Sequence, residues 1–332
     1  MIARVLEGLI PASSLFLKEN SEEYFYRVMN KRIDIRVPLK NGFRAVFSSP
    51  VFAVFGAAIA IPKGLIQFFV LGSAEFGDMF SWLQSKGGVL FPWGVILFLL
   101  LAGIALIVSS FGIVALVFLM NRHESGETPS FAALRRVVRH QTKNLVILEI
   151  LLIAFVVIVG SILSVPADIA LSRGLASLSR ALSYSALGLL LSISLLLFFL
   201  RQYAALYLSL SKISVRSALE NASRLFRLHM RETFLLTVAL FCIEFLTLSF
   251  FSMSFSLVWN FFETNVSPAV LVYGTIVEWI GMLGVLSLLE AWTWTSWTSF
   301  FRMIALPKDP EPVLQKSETM LQQESAVSLD KA

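Results

Sequence analysis

Six apolar stretches decide what this chain can become. They run over residues 47–71, 91–120, 144–166, 182–211, 233–259 and 268–303. Each reaches the roughly 20 apolar residues that a helix needs to cross a bilayer. Inside lipid every backbone N–H and C=O must be satisfied within the segment, so apolar runs of this length fold as helices. Composition agrees. Hydrophobic residues make up 57% of the 332 and charged ones 15%, against about 25% charged in a soluble domain, and the mean hydropathy is +0.77. The sequence predicts an all-α polytopic membrane protein. Residues 1–46 precede the spans, 47–305 form a six-helix transmembrane domain, and 306–332 form a polar tail. Pro62 and Lys63 interrupt the first span. Lys63 lies about 24 Å along it and is expected to snorkel to the far interface.

Lysine and arginine orient the chain, because they gather on the cytoplasmic side of membrane proteins. The first segment, the second and fourth connectors and the C-terminal end hold 22 of them, while the opposite side holds Lys86, Arg173 and Arg180. Both termini are therefore expected in the cytoplasm. The pI near 9.4 has the same origin. No basic, aromatic-interleaved module points to nucleic acid. The first 20 residues have too short an apolar core, with Glu7 inside it, to read as a cleaved signal peptide. The tail from Leu306 carries Pro307, Pro310 and Pro312, reads as disordered, and is too short for a catalytic domain.

The connectors contain a repeat. VPLKNGFR ends at Arg44, AALRRVVR at Arg139 and SALENASR at Arg224, each with leucine five residues before the arginine. The arginines stand 95 and 85 residues apart, each just before an odd-numbered span. In the middle copy Thr128 can cap a helix with Pro129 in its first turn. Phe131, Leu134, Val137 and Val138 then fall on one side, and Arg135, Arg136, Arg139 and His140 on the other. Such a helix is expected to lie in the interface, with its apolar face in acyl chains and its arginines on anionic headgroups. Arg44, Arg135, Arg136, Arg139 and Arg224 are the expected contacts to anionic lipid. The predicted architecture is three helical hairpins, each preceded by a cytoplasmic amphipathic helix.

Two of these connectors, GETPSFAALRRVVRH before span three and SVRSALENASRLFRLHMRETF before span five, carry a family resemblance. Over about residues 35–305 the chain resembles the membrane domain attached to some bacterial glycerophosphodiester phosphodiesterases, and stand-alone relatives of it. It lacks the soluble barrel of those diesterases. SLSKIS stands where a glutamate–glycine pair often precedes the connector. The resemblance implies architecture and a bacterial-type plasma membrane, and it transfers no catalytic residue.

Ionisable residues within the spans each ask for a partner or a role. Glu149 and Arg201 fall near the inner ends of spans three and four, where an ion pair is the simplest structural outcome. Glu290, about 33 Å along span six, is expected to snorkel to the inner surface. Glu244 and Glu278 lie about 17 and 15 Å into spans five and six from opposite ends, near the midplane. Gly274, Glu278 and Gly281 share one face of span six, and Thr237, Glu244, Thr247 and Ser254 one stripe of span five. Both carboxyls are thus expected to face protein. They are a candidate proton or cation site; the structural alternative is two neutral acids bonded to hydroxyls. Trp292, Trp294 and Trp297 beside Arg302 read as an aromatic belt at the interface, or as a binding groove.

The patterns of common chemistries are missing. One cysteine, Cys242, and three histidines, His123, His140 and His229, all in polar connectors, leave no thiol-rich metal site. Glu22, Glu23 and Arg27 match the start of an intramembrane endopeptidase motif but lie outside the spans, without membrane histidines. HES at 123–125 does not continue to HExxH, and neither GxSxG nor a P-loop occurs. Asn265-Val-Ser267 is a sequon followed by Pro268. The expectation is a non-enzymatic integral membrane protein without cofactor or metal, acting on lipid or as a membrane-organising scaffold. The alternative is a secondary transporter or channel using Glu244 and Glu278. A protein partner and a homo-oligomer are left open.

Overall fold

Long apolar sequences fold here into long helices. The computed structural model describes residues 33–71, 90–127, 131–211, 213–263 and 268–305, and among them no strand occurs. In chain order the helices are α1 (Arg36–Ser48), α2 (Pro50–Leu71), α3 (Leu90–Glu124), α4 (Phe131–Ser172), α5 (Ala176–Leu210), α6 (Val215–Leu228), α7 (Met230–Glu263) and α8 (Pro268–Ala305). Leu99–Glu124, Phe131–Ser172, Ala176–Leu210 and Met230–Leu257 are long and apolar enough to cross a membrane. A fifth candidate arises if the bent pair Arg36–Ser48 and Pro50–Gly64 counts as one span. Four or five such helices among the described residues are the make-up of a membrane protein. The first 32 residues, with the Glu22–Glu23–Arg27 triplet, lie outside the described residues. So do Lys86, Thr128 and Pro129, the sequon and the tail 306–332.

The helix ends follow local chemistry. α3 and α4 each run out into a glycine in the left-handed region, Gly126 at φ 70° and Gly174 at φ 76°, which costs a glycine little. Beyond them Glu127 N–H donates to Arg122 O at 3.0 Å and Leu175 N–H to Ala170 O at 3.0 Å. This closes each end as a Schellman turn. Ser214 begins α6, its hydroxyl accepting from Ser217 N–H at 3.3 Å. At the third connector one residue, His229, separates the helices, α6 ending at Leu228 and α7 beginning at Met230. α1 and α2 meet at 105°. α4 has no such joint and runs unbroken for 42 residues, about 63 Å. The middle connector is its first turns rather than a helix of its own.

All the packing described belongs to the compact unit Arg32–Ser299. Its core sits at the connector ends of the helices. Ile113–Met120 of α3, Leu145 and Leu148 of α4, Gln202–Leu206 of α5 and Ala291 and Trp297 of α8 are buried. The opposite halves are different: on α4 Leu151, Ile158 and Ile162, and on α5 Leu187, Leu191 and Leu195, are bare apolar side chains. α4 and α5 lie along each other, joined by the short turn at Gly174.

The structure changes three expectations. Much of the apolar face of the second connector, and that of the third, is buried in protein rather than left for acyl chains: Leu134 is 6% exposed and Val138 3%, and Ala218, Ala222 and Leu225 are buried, while Phe131 stays 78% exposed. They fill the core because their helices fold back on α5; Phe226, for example, stacks on Phe199 at 5.2 Å. The leucine–arginine repeat is also one residue out of register. The buried positions are Pro38, Gly42 and Ala45 in α1, Leu134, Val138 and Gln141 in α4, and Ala218, Ala222 and Leu225 in α6. Spacing is kept at four and three, but the middle set starts at the leucine itself and the outer sets one residue before it. Finally, Trp294 and Trp297 are 2% and 1% exposed, so they are core rather than an interfacial belt. Trp297 meets the edge of Tyr203 at 5.7 Å, and Trp292 Nε1 donates to Leu39 O at 2.9 Å.

Candidate functional site

Small residues bring the site together. α2 lies so close to α8 that a Cβ on Gly56 would run into the Ser287 carbonyl oxygen, and one on Gly64 would stand 3.1 Å from Leu283 Cδ2. On its other side α2 meets α3, where a Cβ on Gly112 would be 2.8 Å from Phe55 O. Such close approach is what small residues permit between membrane helices. Lys63 stands between Pro62 and Gly64, in this tightly held part of α2. It does not snorkel. Its Nζ donates to Glu244 Oε1 of α7 at 2.5 Å and to Glu290 Oε1 of α8 at 2.6 Å. One ammonium joins the consecutive helices α7 and α8 to α2, which lies far earlier in the sequence.

The cluster is partly shielded: the side chains of Lys63, Glu244 and Glu290 are 35%, 24% and 10% exposed. With all three groups ionised, one positive charge faces two negative ones. The arrangement therefore has room for one further positive charge, a proton on a carboxylate or a small cation beside it. Among the described residues no three His, Cys, Asp or Glu side chains gather as a metal site.

Sequence depth placed Glu244 within the membrane but gave it the wrong neighbour. Glu278 lies twelve residues before Glu290 on α8, about 18 Å along the axis. Glu244 is at the level of Glu290. The two residues missing from the sequence-derived site, Lys63 and Glu290, were both assigned to interfaces by counting from span ends. Counting alone does not locate Glu290 in α8, whose 38 residues extend about 57 Å, well beyond a hydrocarbon core of about 30 Å. The usable signal was Gly56 and Gly64 flanking Lys63, which marks a packed helix rather than one facing lipid. Gly281 likewise packs α8 on α7, a Cβ there being 2.9 Å from Phe251 Cζ.

A second cluster forms where the sequence placed it. Arg201 of α5 meets Glu149 of α4, with Nε and Nη2 each 2.6 Å from Oε1. The guanidinium lies 5.8 Å from the Trp294 ring centre. Nearby in sequence terms, Tyr203 hydroxyl bonds Thr233 Oγ1, and Thr233 Oγ1 donates to His229 O at 2.6 Å. This ties α5 to the α6–α7 joint. Burial lowers the His229 imidazole from its usual value of 6.5, and Glu232 opposes that shift. Arg44, Arg135, Arg136, Arg139 and Arg224 are all exposed.

Beside α7 runs an open groove of about 580 Å³, lined mainly by apolar side chains (Phe245, Leu248, Met253, Leu257 and Met282) with Ser249, Ser252 and Ser256 between them. It follows the half of α7 beyond Glu244. Glu278 lies one turn before Met282, on the same side of α8. Comparison with family models, curated proteins and solved structures returns no match.

Proposed function

We propose that this chain is a six-span integral membrane protein that moves a proton or a small cation across a bacterial-type plasma membrane. The observation that carries this is Lys63 shared between Glu244 and Glu290. Ionisable groups within spans are costly and mark ion pathways and proton relays. A cluster with one unmatched negative charge becomes neutral by taking up one positive charge, and can release it when the helices around it move. Three helices contribute one group each, so a shift of any one changes the site. An open, mostly apolar groove with three serines runs along α7 on the far side.

α2 and α8 complete six spans in this reading, as three hairpins with both termini cytoplasmic. The similarity to the membrane domain of glycerophosphodiester phosphodiesterases supports that architecture through its connectors alone. We assign no catalytic step. A membrane-organising role has less support, because the third connector and much of the second turn their apolar side chains into the protein.

The test is flux in proteoliposomes under an imposed pH or cation gradient, followed with an entrapped dye. Wild-type protein should conduct or exchange. Glu244→Gln and Glu290→Gln should each lower the rate about tenfold or more while the protein stays folded, the scale at which removing a positioned proton-transfer group is felt. Flux that both variants leave intact would remove the cluster from function and reduce it to a staple between helices.

A further inference from the structure

α1 differs from the other two connectors in what it leaves uncovered. Its inner face is fixed to α8: Gly42 sits against Ser296, a Cβ there being 2.8 Å from Ser296 N. Asn41 Nδ2 donates to Ser299 Oγ at 3.2 Å, and Trp292 Nε1 to Leu39 O. Its outer face carries Lys40, Phe43, Arg44 and Phe47, all exposed, at the spacing that sets four side chains in one row. The two rings lie 4.4 Å apart, and Phe43 also meets Trp292 edge-on at 6.0 Å. Phe47 is 64% exposed.

Paired bare rings on a helix pinned from behind are a surface with a contact still to make. Three observations say which contact. α1 stands at 105° to α2, so a membrane-crossing α2 sets α1 nearly in the plane of the bilayer. No acidic residue lies between Arg36 and Ser48; Asp34 precedes the helix and accepts from Arg36 N–H at 3.0 Å. Lys40 and Arg44 flank the rings on the same row. Aromatic rings at the acyl boundary with cations at headgroup level are the working face of an interfacial helix. α6 provides the contrast. Its outer face shows Arg216, Glu220, Arg224 and Arg227, with Arg216 paired to Glu220 at 3.0 Å and no ring among them. That is a face for water.

We propose that the outer face of α1 is a binding site for an anionic phospholipid, Phe43 and Phe47 entering the acyl boundary and Lys40 and Arg44 holding the phosphate. This does not depend on the transport reading. The test uses the full chain. In native mass spectrometry with added phosphatidylglycerol or phosphatidylcholine, wild type should retain phosphatidylglycerol preferentially. The double variant Lys40→Gln/Arg44→Gln should bind it about tenfold more weakly, and the swap Lys40→Arg/Arg44→Lys should restore it. The triple variant Arg216→Gln/Arg224→Gln/Arg227→Gln should bind as wild type. In phosphatidylglycerol vesicles, an environment-sensitive dye on Phe47→Cys should emit in the blue and be quenched by lipids spin-labelled high on the acyl chain. Equal retention of both lipids, equal loss from the α6 triple variant, an unquenched dye at position 47, or an α1-dependent second copy of the chain would each overturn the assignment.

Discussion

The two charge clusters of this molecule differ in arithmetic. At the α4–α5 contact one arginine meets one glutamate, with a tryptophan ring beside the guanidinium. At the α2–α7–α8 contact one lysine meets two glutamates. The first is balanced and gains nothing by changing its charge. Arginine suits it, since a guanidinium stays protonated and holds a planar carboxylate with a fixed fork. The second is unbalanced by one charge, and its cation is a lysine, a compact ammonium on a flexible stem. In the proposed transport reading, the first group holds helices together and the second exchanges an ion. Burial by itself does not separate them, because Glu149 and Glu290 are both nearly covered.

The comparison can be broken most directly at the balanced pair. Arg201→Met strands Glu149 and should cost about 3–5 kcal/mol, whereas Glu149→Leu/Arg201→Met together should recover most of the loss. Denaturant unfolding in detergent reads both, and a silent single variant would mean that the pair is not a structural link. Next comes the wall of the unbalanced cluster. Gly56→Leu places a side chain against the Ser287 carbonyl and should destabilise by about 1–3 kcal/mol through overpacking, lowering flux by moving Lys63 away from Glu290. Glu244→Gln should then cost about 1 kcal/mol or less, since Lys63 keeps Glu290, while the flux falls. A variant whose stability collapses along with its flux would make the two clusters alike.

The smallest effect belongs to His229, which is outside both clusters. Because burial lowers its pKa in the folded protein, stability should be complete above about 6.5, where folded and unfolded chains both carry the neutral ring. It should fall as the pH drops from there toward the folded value, as the unfolded chain takes up the proton first. Thermal unfolding between pH 7.5 and 5.5 reads this, and His229→Gln should flatten the slope. If that variant retains the full slope, His229 is not the source of the pH dependence.

What could be read in the sequence was local. The apolar runs gave the helices their identity, and the depth of Glu149 and Arg201 from neighbouring span ends brought them together, because adjacent antiparallel helices share one frame of reference. The Lys63 cluster had no such frame. Its members come from α2, α7 and α8, and which faces of those helices meet is decided by Gly56, Gly64 and Gly281 in three dimensions. The tryptophans misled for a related reason. An interfacial belt and a packed core ask for the same residues near a span end, and only the packing of α8 on α5 tells them apart. The middle connector was read as a separate element because charge marks where lipid ends, not where a helix does.

That continuity of α4 has a mechanical consequence. α1 and α2 are separated by a break at Ser49, and α6 and α7 by one at His229, so neither of those connectors is continuous with the helix that follows it. Between Phe131 and Val165, ahead of Pro166, α4 offers no place to bend. It is a lever of about 52 Å, and tilting it by roughly 10° about its middle carries each end by about 5 Å. Arg135, Arg136 and Arg139 therefore travel with every tilt of the segment that holds Glu149, and the basic end of α4 follows what its apolar half is doing.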